Sequence, residues 1–384
     1  MMIESCGEPQ LTETSQQQQK LKTTESVSSY QSANNTQFNF GNHSSSSNCF
    51  PKVTFSSVGS FLNRPAHLGN FEQPAVPASR HEMSRFMKIA RQFNCFYFNG
   101  DLQFCRPFFI GGKQVGLMRP NVVEVARSHP EVFCVDTVSG TVSIHPQLVT
   151  YEERSAKIHS ILSKWRDESL FHTLKGWRDE CYEVKAGYAD PPLLKMERSA
   201  TCLFGIRQYG VSINGYTKHA KLGFCLWMQQ RSRTKQTWPG KWDNIVSGGL
   251  SVGHSVFETA LKEADEEASI PPQLLTSMKA AGSVSFYFES ERGLFPNTEF
   301  VYDLELPSDF VPNNADGEVD SFELVPIEEV KNRIVTTDYK TTSCPVALDF
   351  LIRHNFINSN NEPHLPELVE LLHIPLHIIY NQSR

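Results

Sequence analysis

The chain lacks the paired cysteines, the long apolar runs and the excess of positive charge that would each assign it to a specialised class. Its nine cysteines are odd in number, scattered from Cys6 to Cys344 and never spaced as C-x-x-C. That usage excludes a disulfide framework and a cysteine-based zinc site, and predicts a reducing compartment. No apolar stretch approaches the roughly 20 residues of a membrane span, and no basic segment followed by an apolar core opens the sequence. A soluble, unsecreted, cytoplasmic protein is expected. Residues 26 to 71 carry no Asp or Glu and are rich in Ser, as transit peptides are, yet Glu4, Glu8, Glu13 and Glu25 precede them. Mitochondrial import is therefore the second reading. A formal charge of −6 withholds the basic field that displaces counterions from nucleic acid, so neither nucleic acid nor membrane is an expected partner. The pattern assigns no oligomeric state.

What is present is enough chain, 384 residues, for two domains and a tail. Residues 1–80 are dominated by Gln, Ser, Asn and Thr, with Gln16 to Gln19 and Ser44 to Ser47 as homopolymers. Such a segment cannot bury enough apolar surface to offset its ordering entropy, and is expected to be disordered and dispensable. Residues 82–190 read as a small α+β domain. Phe86, Ile89, Ala90 and Phe93 recur at helical spacing, and Gly111-Gly112 and Ser139-Gly140 each separate two apolar runs as hairpin turns do. Pro120 opens a short helix, and a longer one spans Glu152 to Trp165 with Ile158, Leu162 and Trp165 on one side. The domain shows no ligand cluster. Asp190 to Pro192 is the expected boundary, and residues 193–384 form the second domain. There Thr201 to Arg207, Ala220 to Gln229, Ser283 to Phe288 and Glu299 to Leu306 read as strands and Pro345 to His354 as a helix. The fold class expected is α+β, the second domain being a mixed sheet sandwiched by helices.

The chemistry concentrates in Ser247 to Ala268. Ser255 followed by Glu258 forms a capping-box signature, and Phe257, Ala260, Leu261, Ala264 and Ala268 keep the 3.6-residue period of a buried stripe. Glu263, Glu266 and Glu267 stand at i, i+3 and i+4, so their carboxylates share one helix face. Like charges at that spacing repel, which calls for a cation. Mg²⁺ is suited to carboxylate and phosphate oxygens, with Mn²⁺ as an alternative. Gly248 and Gly249 free the preceding backbone to turn beside the metal and the phosphates.

These residues resemble the Nudix box: Gly, five residues, Glu, seven residues, Arg-Glu, an aliphatic, one residue, Glu-Glu, one residue, Gly, aliphatic. Gly248 takes the first place, Glu263 the first helix glutamate, Glu266 and Glu267 the pair and Ile270 the last aliphatic, without a gap. His254, Lys262, Ala264 and Ser269 depart from it. The last three are similar to a Nudix subfamily related to thiamine pyrophosphokinase. So are Arg231 to Lys235 with Trp238 to Asp243, Tyr209-Gly210, Asn214 to Tyr216, Phe350 to Arg353 and the small preceding domain. Members of that subfamily hydrolyse thiamine diphosphate and, preferentially, its damaged oxo and oxy derivatives to monophosphates. No kinase domain follows here, so no kinase activity is implied.

The resemblance implies an enzyme, a Mg²⁺-dependent diphosphatase acting on a small-molecule diphosphate. Gly248, Glu263, Glu266 and Glu267 are the expected metal residues, with Glu318 an additional acidic catalytic residue. Arg231, Arg233, Lys235 and Lys241 are candidates for holding the diphosphate, and Trp238 and Trp242 for stacking a heterocycle. In the family the Glu replaced by His254 orients the box through an ion pair with the Arg replaced by Lys262. His and Lys cannot form it, so weakened catalysis is an expectation. The rivals are another nucleoside or prenyl diphosphate hydrolase, an isopentenyl diphosphate isomerase, which Trp238 to Asp243 also resembles but for whose cysteine no motif places Cys202 or Cys225, and a degenerate binder without turnover.

Overall fold

The computed structural model describes residues 82–99 and 101–380. The tail expectation for residues 1–80 lies outside them.

A four-stranded sheet in the order β2-β1-β4-β3 begins the small region: β1 (Arg106–Ile110), β2 (Lys113–Met118), β3 (Phe133–Asp136) and β4 (Thr141–Ile144). Both expected hairpins form, and β1 joins β4 in parallel. A 17-residue helix, Tyr151–Asp167, starts on a complete Thr150–Glu153 capping box and packs Ile158, Leu162 and Trp165 into the core. There Trp165 stacks on Phe204 at 6.0 Å and 7°. The strands β5 (Cys181–Val184) and β6 (Leu194–Glu197) pair antiparallel. Asp190 to Pro192, the expected domain boundary, therefore lies in the loop of a hairpin inside this region.

Thr201 to Arg207 is not a strand. The Glu197 carboxylate accepts the Ser199 N–H and starts a 3₁₀ turn, Arg198–Leu203. Gly205 then takes φ +54° with its α-carbon against the Leu117 carbonyl, where an added Cβ would sit 2.5 Å away. Extended pairing begins only at β7 (Gln208–His219).

The second region is a mixed sheet in the order β11-β12-β7-β8-β13. Its remaining strands are β8 (Gly223–Arg231), β9 (Trp242–Asn244), β10 (Val246–Gly249), β11 (Lys279–Ser290), β12 (Gly293–Glu305) and β13 (Val319–Pro326). β12 runs parallel to β7, and the other pairings are antiparallel. Both faces are covered. Trp227 points into a core with Ala260, Ala264 and Ala268, while Leu226 and Met228 point into the other with Phe350 and Leu368. This is why β8 reads as an apolar run with no polar face.

The first helix, Arg85–Phe93, belongs to this second region, although its place in the sequence assigned it to the small domain. Phe86, Met87, Ile89, Ala90 and Phe93 are buried against Val284, Phe286 and Phe350. Just beyond it the Asn94 side chain is fully buried. It donates to the Leu371 carbonyl at 2.8 Å and accepts the Tyr287 N–H at 3.0 Å.

Candidate active site

The helix Val256–Ala268 lies against β10 and β7 and carries the glutamates. Its start follows the sequence: Ser255 accepts the Glu258 N–H and Glu258 returns to the Ser255 N–H, closing the capping box. Phe257 is exposed rather than part of the buried stripe, its ring 6.5 Å from that of Tyr302, and Thr259 is buried instead. The helix ends at Ser269, whose φ of 48° and ψ of 44° place it in the left-handed region where the family pattern has Gly. Replacing Ser269 with Gly removes the Cβ clash of that conformation and is expected to stabilise the fold by about 0.5–1 kcal/mol, read as a shift of the denaturant midpoint at unchanged slope.

Three glycines clear the floor beneath the carboxylates. A Cβ on Gly248 would lie 2.3 Å from the Glu263 side chain, one on Gly249 1.7 Å from the Tyr182 hydroxyl, and one on Gly210 2.4 Å from a Glu299 carboxylate oxygen. Gly249 and Gly210 face each other in the β10–β7 pairing, and Gly210 is also opposite Glu299 in β12. The sheet thus passes a carboxylate from β12 across β7 toward the box. Glu299 went unnoticed in the sequence; the signal that marks it is the Tyr209-Gly210 and Gly248-Gly249 small-residue pairs, where a neighbour's large side chain must pass.

Glu267 is buried at 2% exposure, its Oε2 accepting the Ser247 N–H at 2.8 Å and the Gln229 amide at 3.1 Å. Burial and the neighbouring Glu263 push its carboxyl up to about 7. Burial likewise pushes Glu299 up to about 7 and raises Glu263. Desolvated carboxylates are poor anions without a cation beside them, and oxygen donors of this kind suit a hard divalent metal, although no three His, Cys, Asp or Glu side chains among the described residues are arranged around one metal position. Glu266 is half-exposed and bonded to Lys262 at 2.5 Å, with Glu263 3.5 Å from the same ammonium. Lys262 therefore has its partners on its own helix. His254 is exposed, its N–H on the Ser251 carbonyl at 3.3 Å, so the missing family glutamate leaves no cation unpaired.

The other expected residues separate. Gly248, Lys235, Trp238 and Glu318 line one cleft with Glu263, Glu266 and Glu267, a space of about 1160 Å³. Lys235 pairs with Glu318, and burial lowers its ammonium to about 8. Arg231 also faces the cleft, but its guanidinium is occupied by the buried Asp243 at 3.1 Å and by the Thr237 carbonyl. Arg233 is exposed outside it, Lys241 donates to the Thr337 carbonyl at 2.8 Å, and Trp242 lies under Arg333 at 4.9 Å. These three do not line the cleft. Cys202 and Cys225 are buried and also absent from its walls, which leaves the isomerase reading without its thiol.

The small region forms one wall of this cleft, with Arg178, Glu180, Tyr182 and Arg198. Glu180 bonds Ser251 and Arg198, and the Cys181 carbonyl accepts the Val252 N–H at 3.1 Å, so β5 holds the glycine loop directly. Trp238, at φ +53°, stands 5.9 Å from Phe288, which is 6.1 Å from Phe295, and all three border the cleft.

A mixed sheet between helices, with the glutamates of one helix facing a cleft over a glycine floor, is the arrangement of a Nudix fold. Residues 209–343 match the model of the NUDIX domain, and residues 85–208 match that of a domain of unknown function, DUF4743. The chain is 37% identical over 261 residues to "Nudix hydrolase 24, chloroplastic" of Arabidopsis thaliana, covering 67% of this chain and 70% of that protein. It is also 37% identical over 238 residues to an uncharacterized protein of Saccharomyces cerevisiae, covering 58% and 68% respectively. Among solved structures it is similar to the NUDIX domain of Shewanella oneidensis NrtR complexed with ADP ribose. That match has TM-score 0.32 and 15% identity, over 40% of this chain and 91% of the other. The chain belongs to the Nudix hydrolase family and is a pyrophosphohydrolase; enzymes of that family generally use divalent metal ions such as Mg²⁺.

Proposed function

We propose that the enzyme hydrolyses thiamine diphosphate, or its oxo and oxy derivatives, to the monophosphate with Mg²⁺. The observation that carries the reading is the aromatic border of Trp238, Phe288 and Phe295 beside the glutamate cluster, which suits a diphosphate attached to a flat heterocycle. The likeness of the Arg231 to Asp243 segment to the thiamine-related subfamily supports it.

Glu263, Glu267 and Glu299 would hold the metal, with Glu266 at the rim beside Lys262. Bound there, Mg²⁺ supplies charge neutralisation on phosphate oxygens and acidifies a water. The Ser247 and Gln229 donors fix the Glu267 carboxylate so that it cannot rotate away. Glu318, paired with Lys235 in the same cleft, would accept the proton of an attacking water, with Lys235 steadying its charge. The aromatic border excludes water from one side of the substrate.

A substrate panel in Mg²⁺ tests this: thiamine diphosphate, its oxo and oxy forms, ADP-ribose, dinucleotides and prenyl diphosphates. The expected result is a kcat/KM highest for the thiamine compounds, with orthophosphate and the monophosphate as products. A higher value for ADP-ribose or a dinucleotide would replace the substrate class.

A further inference from the structure

Seven Lys and Arg side chains face the cleft, and five of them have a carboxylate partner. Arg178 and Arg292 have no ion-pair partner among the described residues. Arg178, from the small region, donates through Nε to Gln236 at 3.1 Å, and its two terminal nitrogens donate to no described group. Burial, followed by repulsion from Arg198, pushes its guanidinium down to about 10 against the opposing effect of Tyr182 and Glu180. Arg292, on the turn between β11 and β12, lies 5.3 Å over the Phe295 ring, its guanidinium likewise without a hydrogen-bond acceptor among the described residues. The charges are ordered. Glu263 feels Arg198, Arg198 repels Arg178, and Arg178 is repelled in turn by Arg292. All three arginines line the cleft, and Arg292 stands at its aromatic border.

Two half-buried guanidiniums facing one space repel, and neither has a carboxylate of its own among the described residues: Glu180, whose charge reaches Arg178, is ion-paired with Arg198. A ligand with concentrated negative charge supplies what is missing, and the planar donor fork of Arg suits phosphate oxygens. We propose that Arg178 and Arg292 form a second anion subsite, which holds the substrate phosphate that is not bound at the glutamate cluster. It rests on the coarser part of the functional reading, a substrate with two linked phosphates, and gives the small region a part in substrate selection.

The test uses the full chain and methylenediphosphonate, a non-hydrolysable pair of linked phosphorus groups, titrated calorimetrically in Mg²⁺. Arg178→Gln and Arg292→Gln should each weaken binding about tenfold, the loss of one charge-assisted contact, and the double variant about a hundredfold. Melting temperatures should not move, Arg178→Lys should recover part of the affinity, and Arg233→Gln, outside the cleft, should bind as the natural protein does. The proposal is overturned if the natural protein does not bind the probe or if the double variant binds it equally well. Weaker binding with a lower melting temperature and no rescue by Lys also overturns it, since Arg178 would then be a brace for Gln236. The probe carries no heterocycle, so rejection of thiamine compounds in the substrate panel leaves this result standing. Failure of the subsite leaves the metal reading standing wherever Mg²⁺ still raises the melting temperature.

Discussion

Glu267→Gln is expected to lower turnover in Mg²⁺ by about a thousandfold while leaving the fold intact. A metal's stabilisation of transition-state charge amounts to several kcal/mol, and each 1.36 kcal/mol is a decade in rate. The exchange is nearly isosteric, and the amide oxygen still accepts from Ser247 and Gln229, so packing is kept. The metal-free stability should respond in the opposite direction. Unfolded, the Glu267 carboxyl has its ordinary value near 4.5; folded, it is raised to about 7. The folded state thus retains a proton that the unfolded state releases, and the stability this contributes is lost as pH rises from about 4.5 to about 7. Glu267→Gln removes that loss, so at pH 8 without metal the variant should melt above the natural protein. Added Mg²⁺ should raise the natural melting temperature and leave the variant's nearly unmoved. Turnover that survives the substitution would remove Glu267 from the metal site.

These expectations grew from a stretch of sequence whose signals are local, which is why it was legible. A capping box, a 3.6-residue period and three glutamates on one face are all decided within one helix, and the helix Val256–Ala268 follows them. Hairpin turns at Gly111-Gly112 and Ser139-Gly140 are local in the same sense. Glu299 was not legible, because nothing between Thr298 and Phe300 separates it from a solvent-facing strand residue. Its place depends on β12 lying parallel to β7 and on Gly210 leaving room, a pairing across 89 residues. The basic cluster before the box misled for a related reason. Proximity in sequence put Arg231, Arg233, Lys235 and Lys241 together, but strand alternation and the buried Asp243 sent them to different places, and only Lys235 and Arg231 reach the cleft. Arg178, one of the two cleft guanidiniums without an ion-pair partner among the described residues, came instead from the region where no ligand cluster was apparent.

The division of the chain was read from composition, and cores do not follow composition. A chain that begins at residue 101, and so lacks the helix Arg85–Phe93 and Asn94, is expected not to fold. One that begins at residue 82 should keep the melting temperature and activity of the whole. The lost helix buries Phe86, Met87, Ile89 and Phe93 against the sheet and against Phe350. At about 1.5–3 kcal/mol for each large apolar side chain, this is comparable with the roughly 5–15 kcal/mol that hold a domain together. Loss of Asn94 adds to it, since the Tyr287 N–H and the Leu371 carbonyl are left without their partner inside the core, at about 1–3 kcal/mol each. The same reasoning covers the segment matched by the NUDIX model, residues 209–343. Expressed alone it would lack this helix, the helix Cys344–Arg353 that follows the matched segment and the β5 contacts to the glycine loop. Circular dichroism and a thermal melt on the chains beginning at 82 and 101 decide the matter. A cooperative melt from the shorter chain would show that the helix decorates the sheet rather than completing it.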